Sequence, residues 1–246
     1  MKDINPELKK LEKIICETSE ESNTENLQTV KNTIQTLWPH HSFEKILENP
    51  TFYELPVLSV PLLTEDEYLD SLRNKKIPEK IIHNLILVKV EYRGFNNQIY
   101  NGQIIVHKEL AYSTKQVFQR ILRETDFPIT SIIPLSFYNW NSSARYNNSG
   151  GFDWRFVDGN NEITDHAFGA AIDINPLINP WIRKNSHNRP YNPNIRGTLS
   201  PSSQVVTIFN EEGWKWGGNW KHSKDWQHFY RPEIPFKYYG KAEVKE

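Results

Sequence analysis

Hydrophobic residues recur at helical spacing through the first fifth of the chain, in two series separated by the polar stretch 19–26. Apolar positions three and four residues apart lie on one face of a helix. The two series are Leu8, Leu11, Ile14 and Ile15, then Leu27, Val30, Ile34 and Leu37. The pattern therefore predicts a mostly helical N-terminal appendage over residues 1–50.

A pattern typical of strands begins after the prolines at positions 50, 56 and 61. Thr64 followed by Glu67 resembles a capping box and predicts a helix start. Residues 81–90 are rich in Ile, Leu and Val, and the pattern resumes at 103–106 after the turn sequence 93–97. This predicts a strand, a turn and a second strand.

Helical and strand patterns alternate through the rest of the chain. Helices are expected at 113–123 and 202–212, and short strands at 129–133 and 170–174. Stretches rich in Ser, Asn, Gly and Pro, at 138–151 and 175–198, predict loops. This order indicates an α+β fold, with a small antiparallel sheet flanked by helices. The main domain is expected over residues 51–246, with its core at about 80–232.

Composition narrows the possible functions. The 246 residues are 37% hydrophobic and carry a formal net charge of −1, so the chain can bury a core and has no strong field to recruit nucleic acid. The single cysteine, Cys16, excludes an internal disulfide and a cysteine-based zinc site. We expect no transmembrane segment, and no signal peptide is visible in this sequence. A monomer is expected.

Metal-binding side chains concentrate in two segments of the C-terminal half. His166 and Asp173 bracket an apolar run, and Asp225 precedes His228 by three residues. Two imidazoles and one carboxylate suit zinc and leave a fourth position for a reactive water. The spacings alone are common by chance, and partly buried structural histidines are the alternative interpretation. A carboxylate at the end of the apolar strand, however, needs a cation or several donors if it is buried.

The first segment, Thr164-Asp-His-Ala-Phe-Gly-Ala-Ala-Ile-Asp-Ile-Asn-Pro176, resembles a known zinc motif. It is similar to Ser-x-His-x-x-Gly-x-Ala-x-Asp of the D-alanyl-D-alanine carboxypeptidase and L-alanyl-D-glutamate endopeptidase family, with Thr164 in place of the usual serine. The stretch from Gly213 to Trp220 and then Asp225 to Phe229 resembles the family's second motif. Residues 147–155 match its arginine-bearing segment. The resemblance runs from about residue 84 to 229.

This resemblance implies a hedgehog/DD-peptidase-like fold and one zinc ion per chain, bound by His166, Asp173 and His228. It implies that Asp225 is the general base and that Arg155 stabilises the oxyanion. Asp165 is the weaker alternative for the base and Arg145 for the arginine. An orienting role for Asp225 and a salt-bridging role for Arg155 also stay open.

The implied activity is hydrolysis of peptidoglycan stem peptides at the cell wall, in the periplasm or outside the cell. A carboxypeptidase, an L-alanyl-D-glutamate-type endopeptidase and a non-catalytic zinc-binding module are the alternatives. Four tryptophans could wall a substrate groove, although core packing is expected for at least half of them: Trp214, Trp216, Trp220 and Trp226. The other six histidines are interpreted as structural or surface residues: His40, His41, His83, His107, His187 and His222.

Overall fold

The computed structural model describes residues 62–73, 75, 77–135, 143–144, 146–155, 163–183 and 191–239. The predicted helical appendage over residues 1–50 lies outside this part of the chain, as do Arg145, Cys16 and three of the histidines, His40, His41 and His187. The boundary at residue 50 therefore stays a prediction.

The described chain is a mixture of short helices and strands, which confirms the α+β class. The helices are α1 (Glu65–Arg73), α2 (Glu79–Ile82), α3 (Ala111–Glu124), α4 (Gln204–Glu211) and α5 (Glu233–Tyr239). The strands are β1 (Leu85–Arg93), β2 (Ile99–His107), β3 (Ser131–Ile132), β4 (Asn148–Ser149), β5 (Ala171–Asp173), β6 (Trp181–Arg183), β7 (Lys215–Trp216), β8 (Ser223–Asp225) and β9 (His228–Tyr230). None of the described helices is long and apolar enough to cross a membrane.

The predicted hairpin is the longest strand pairing among the described residues. Strands β1 and β2 are antiparallel and pair along their full length, from Leu85 opposite His107 to Arg93 opposite Ile99. Gly94 and Asn97 close the turn, where Asn97 takes the positive φ that asparagine tolerates. Ile81 and Ile82, which the sequence placed in the first strand, instead lie in helix α2 with both side chains buried.

The remaining strands form small sheets of two or three strands. Strands β5, β9 and β7 make an antiparallel sheet with β9 at its centre, β6 pairs antiparallel with β8, and β3 pairs parallel with β4. The strand expected at 129–133 is therefore shorter than predicted, since only Ser131 and Ile132 pair. Its neighbours Ile129 and Ile133 are buried nonetheless. Burial, not strand length, explains the apolar run.

Helix α3 matches the predicted helix 113–123, and α4 matches 202–212. Thr114, Val117, Phe118 and Ile121 form the buried face of α3, as the helical spacing requires. Helix α1 begins after Thr64, whose hydroxyl and amide both bond the Glu67 carboxylate. The capping box read from the sequence is thus present in the structure.

Candidate metal centre

The first ligand segment is a short 3₁₀ helix, Asp165–Phe168, that leads into β5. The Thr164 hydroxyl accepts a hydrogen bond from the Ala167 amide and caps this helix. Gly169 ends it with a φ of +65°, and a Cβ there would come within 2.5 Å of the His107 amide nitrogen. A glycine is therefore required where the chain turns from His166 into the buried strand.

Strand pairing brings the second ligand segment to the first. In the antiparallel pair β5 and β9, Asp173 lies directly opposite His228. On its other side Asp173 bridges to Gly150, with both backbone amides donating across the pair at 3.0 and 2.8 Å. The backbone pairing on both sides holds Asp173 in place. It also brings the Asp173 carboxylate to His228, although the two residues are 55 apart in the chain.

Three side chains converge at this point and are all buried. The Asp173 carboxylate lies 3.1 Å from Nε2 of His166 and 2.9 Å from Nδ1 of His228, and these two nitrogens are 3.2 Å apart. Within the described residues, these three are the cluster able to hold a metal ion, with donor atoms all within 4.8 Å of one another. The structure therefore brings together all three residues that the sequence predicted as ligands.

The protonation of His166 is fixed by the backbone. Its Nδ1 lies 2.6 Å from the carbonyl oxygen of Gly151, which can only accept, so Nδ1 carries the proton and donates. Nε2 of His166, the Asp173 carboxylate and Nδ1 of His228 then face one another at about 3 Å. Such atoms come this close only with a proton or a cation between them. The donor set fits a metal cation.

The electrostatics of the cluster point the same way. Burial alone would raise the pKa of Asp173, but the imidazoles of His166 and His228 outweigh it and hold that pKa well below its ordinary value. Burial would lower the pKa of His228, yet its hydrogen bond to Asp173 raises it above the ordinary value. The carboxylate is therefore kept ionised, as a metal ligand must be.

Asp225 is the last residue of β8, and a short turn connects it to His228, the first residue of β9. Burial raises the pKa of Asp225 to about 6, with the negative charge of Asp173 adding to the effect and the imidazole of His228 opposing it. Its carboxylate accepts a hydrogen bond from the side-chain amide nitrogen of Gln227 at 3.1 Å. A carboxyl group with a pKa near neutrality can gain or lose a proton at working pH.

Close backbone packing holds this turn in place. A Cβ on Gly217 would lie 2.8 Å from the carbonyl oxygen of Asp225, 3.0 Å from the Asp225 Cβ and 3.3 Å from the His228 Cβ. The glycine therefore lets the 3₁₀ helix Gly217–Asn219 approach the turn that carries both residues. This is a physical reason for the Gly-Gly pair between Trp216 and Asn219.

Arg155 follows the segment that carries the Gly151 carbonyl. Its Nε lies 3.1 Å from the carboxylate of Asp153, and its backbone carbonyl accepts from the Thr164 amide. Asp165, the alternative base, begins the 3₁₀ helix of His166 and is partly exposed. Its charge contributes to the raised pKa of His228, so it is within electrostatic reach of the cluster.

Two of the four tryptophans lie in the hydrophobic core and a third packs against it. Trp214 and Trp216 are each 2% exposed. Trp226 packs against this core and stacks flat on Tyr191, 4.2 Å away. Trp220 is partly exposed, and its ring meets the edge of His228 at 5.5 Å between centroids. Of the four, Trp220 is therefore the one that contacts a candidate ligand.

Several contributors to the cluster could not be found from the sequence. The Gly151 carbonyl acts through its backbone, so its side chain carries no signal. Tyr230 stacks on the His228 ring at 5.4 Å and its hydroxyl accepts from the Trp220 indole, yet as a sequence position it is one aromatic among many. Of the other histidines in the described residues, His107 is fully buried and His83 and His222 are exposed.

Comparison with known proteins gives a match to one family model over part of the chain. Residues 157–231 match the family model described as D-alanyl-D-alanine carboxypeptidase. This segment contains His166, Asp173, His228 and Asp225, while Arg155 lies two residues before it. The match supports the resemblance carried by the two motifs. Neither the curated proteins nor the solved structures contain a significant match to the chain.

Proposed function

Since the segment that carries the cluster matches the D-alanyl-D-alanine carboxypeptidase family, we propose that the chain is a zinc-dependent metallopeptidase. Its proposed substrates are the peptide bonds of bacterial peptidoglycan stem peptides, in the periplasm or outside the cell. The observation that carries the proposal is the convergence of His166, Asp173 and His228 on one point with donor atoms about 3 Å apart.

The donor set fits one zinc ion per chain. Zinc in catalytic sites takes three protein ligands, commonly imidazole nitrogens and a carboxylate oxygen, at about 2.0–2.2 Å. Nε2 of His166, Nδ1 of His228 and a carboxylate oxygen of Asp173 would be these ligands. Bound zinc would polarise the scissile carbonyl and lower the pKa of a water molecule in the fourth position from about 15.7 toward 7.

Asp225 is proposed to move the proton in this reaction. As general base it would accept a proton on its carboxylate from the attacking water and then donate it to the departing amine. Its pKa, raised by burial to about 6, suits both steps near neutral pH. The connection to His228 through the short β8–β9 turn keeps this carboxylate next to a metal ligand.

Arg155 is proposed to bind the carbonyl oxygen as negative charge develops on it. A guanidinium is always protonated, so it can stabilise an oxyanion at any working pH. In support, the Thr164 amide donates to the Arg155 carbonyl, so the backbone of Arg155 lies beside the segment that carries His166.

The experiment that tests the function is digestion of purified peptidoglycan with and without a chelator. Mass analysis of the fragments identifies the bond cut, and synthetic pentapeptides ending in D-Ala-D-Ala separate a carboxypeptidase from an endopeptidase acting at L-Ala-D-Glu. We expect release that the chelator abolishes and added zinc restores. Zinc binding without hydrolysis of either substrate would favour the alternative, a non-catalytic zinc-binding module on the same fold.

A further inference from the structure

Asp153 is a buried carboxylate next to the metal cluster that the sequence did not single out. The residue is 8% exposed, and its carboxylate lies 3.1 Å from Nε of Arg155. Burying a carboxylate is costly unless an opposite charge compensates it. Arg155 supplies that charge within contact distance.

The backbone ties this pair to the first metal ligand. In the segment 151–155, the Gly151 carbonyl accepts from the His166 ring and the Asp153 amide donates to the His166 carbonyl at 3.2 Å. The segment packs closely on β2, because the Phe152 amide bonds to the Ile105 carbonyl and a Cβ on Gly151 would lie 2.3 Å from the same oxygen. Asp153 and Arg155 are therefore held in register with His166.

Arginine has a long, flexible side chain that loses rotamer freedom when it is fixed. The ion pair with the buried Asp153 carboxylate restricts where the guanidinium lies before substrate arrives. Donors aimed in advance at a developing charge contribute most to catalysis. We infer that Asp153 is a positioning residue, which holds the Arg155 guanidinium ready for the oxyanion. The inference rests on the proposed function of Arg155.

A second cation offers a competing explanation for Asp153. Lys75, in the connection between α1 and α2, is attracted by the Asp153 carboxylate, which partly offsets the lowering of the Lys75 pKa by burial. Asp153 could then serve only to neutralise Lys75 and anchor that connection. In that case its replacement would destabilise the fold without acting through Arg155.

A double-mutant cycle on zinc-loaded protein separates the two roles. We expect Arg155→Ala to lower kcat by roughly 10²-fold, and Asp153→Ala to lower it by about 10-fold or more. If Asp153 acts through Arg155, adding Asp153→Ala to Arg155→Ala should cause no further loss. Asp153→Asn keeps an oxygen for Nε and should recover part of the activity. Zinc content should stay at wild-type level in every variant.

Lys75→Met is the matched control, since it removes the other cation near Asp153 and should leave kcat unchanged. A readout without catalysis comes from the Nε–H resonance of Arg155 by NMR, identified by its loss in Arg155→Ala. We expect this resonance to shift and exchange faster with water in Asp153→Asn, which also serves if Asp153→Ala does not fold.

Additive losses in the double mutant, or an unchanged Arg155 resonance in Asp153→Asn, would overturn the positioning role. A wild-type protein that hydrolyses no stem peptide would instead overturn the proposed function on which this role depends.

Discussion

His166 has one ring nitrogen bound to the backbone and the other turned toward Asp173 and His228. With Nδ1 donating to the backbone, Nε2 is the nitrogen that a metal ion would take as its ligand. The same backbone contact orients the ring. A histidine that only packed in the core would not need its second ring nitrogen to face a carboxylate.

The three ligands should therefore bind metal together. We predict about one zinc per chain in the wild type and loss of that zinc in His166→Ala or His228→Ala, because two remaining ligands hold zinc poorly. Elemental analysis of dialysed protein measures this. His222→Ala, which changes an exposed histidine, is the control and should keep its zinc. Full zinc in both ligand variants would exclude this site.

Asp225 should affect the reaction without affecting the metal. Asp225→Asn keeps the size of the side chain but cannot accept the proton, so we expect kcat to fall by roughly 10²–10⁴-fold with zinc content unchanged. The wild-type rate should also decline below about pH 6, where a carboxyl with the raised pKa of Asp225 becomes protonated.

A near wild-type rate in Asp225→Asn would move the base elsewhere, and Asp165→Asn would then be the next variant to assay. Loss of zinc in Asp225→Asn would instead indicate that the carboxylate orients His228.

At the level of elements, the site depends on the pairing of β5 with β9 and on the two ends of the 3₁₀ helix Asp165–Phe168. The pairing sets Asp173 opposite His228, while the Thr164 cap and Gly169 set the position of His166. A slip of one residue in this pairing would turn Asp173 to the other face of the sheet. The short strands are fixed by their neighbours, since β9 is paired on both sides.

The cap at Thr164 offers a test at this scale. Thr164→Val keeps the side-chain shape and removes the hydroxyl that accepts from Ala167, so the free energy of unfolding should fall by about 1 kcal/mol. Thr164→Ser keeps the hydroxyl and should be close to wild type. Denaturant unfolding of the zinc-free protein measures both. Equal stability of the two variants would mean that the hydroxyl does not cap the helix.

At the scale of the whole molecule, the cluster of His166, Asp173 and His228 lies directly against the hydrophobic core. Phe229, next to His228, is fully buried and stacks on Phe209 of helix α4 at 3.7 Å between ring centroids. Ile172, next to Asp173, is equally buried. Because alternate residues of a strand point to opposite faces, one side of β5 and β9 fills the core while the other presents the candidate ligands Asp173 and His228.

Zinc binding and protonation of the cluster should therefore make the stability of the fold depend on pH in opposite directions. In zinc-free protein the pKa of His228 is raised, so the stabilisation from its protonated ring is complete below the unfolded pKa and is lost as pH rises through the folded one. The pKa of Asp225 is also raised, but only to about 6, so most of its contribution is lost before neutral pH. Asp173 has a lowered pKa, is ionised in both states at neutral pH and adds no slope. Between pH 6 and 8 the zinc-free protein should become less stable.

Zinc has the opposite dependence, because it binds deprotonated ligands more tightly as pH rises. We therefore predict that the difference in Tm between zinc-loaded and chelator-treated protein widens from pH 6 to pH 8. Thermal melts at three pH values measure it, with His228→Ala as the variant that should show no zinc-dependent increment. A difference that stays constant or narrows would contradict the assignment of these ligands.

The sequence by itself determined most of the local elements and singled out the candidate ligands. Helical spacing predicted α3 and α4, the strand pattern predicted the hairpin of β1 and β2, and two motifs singled out His166, Asp173 and His228. These inferences succeed because spacing and residue type are local properties that the chain carries with it. The abundance of Ile, Leu and Val predicts the wrong element where tertiary packing decides. Ile81 and Ile82, predicted in a strand, are buried as part of helix α2.

Only the tertiary structure decided how the site is assembled. Asp173 and His228 are 55 residues apart and meet through a strand pairing. The ring of His166 is oriented by the backbone carbonyl of Gly151, and a backbone group cannot be recognised from residue type. The ion pair of Asp153 with Arg155 is likewise a contact that only the tertiary structure shows. Such contacts depend on which surfaces of distant segments pack together, and the packing of the whole core selects them. The residue types therefore indicate the chemistry, while the fold supplies the distances.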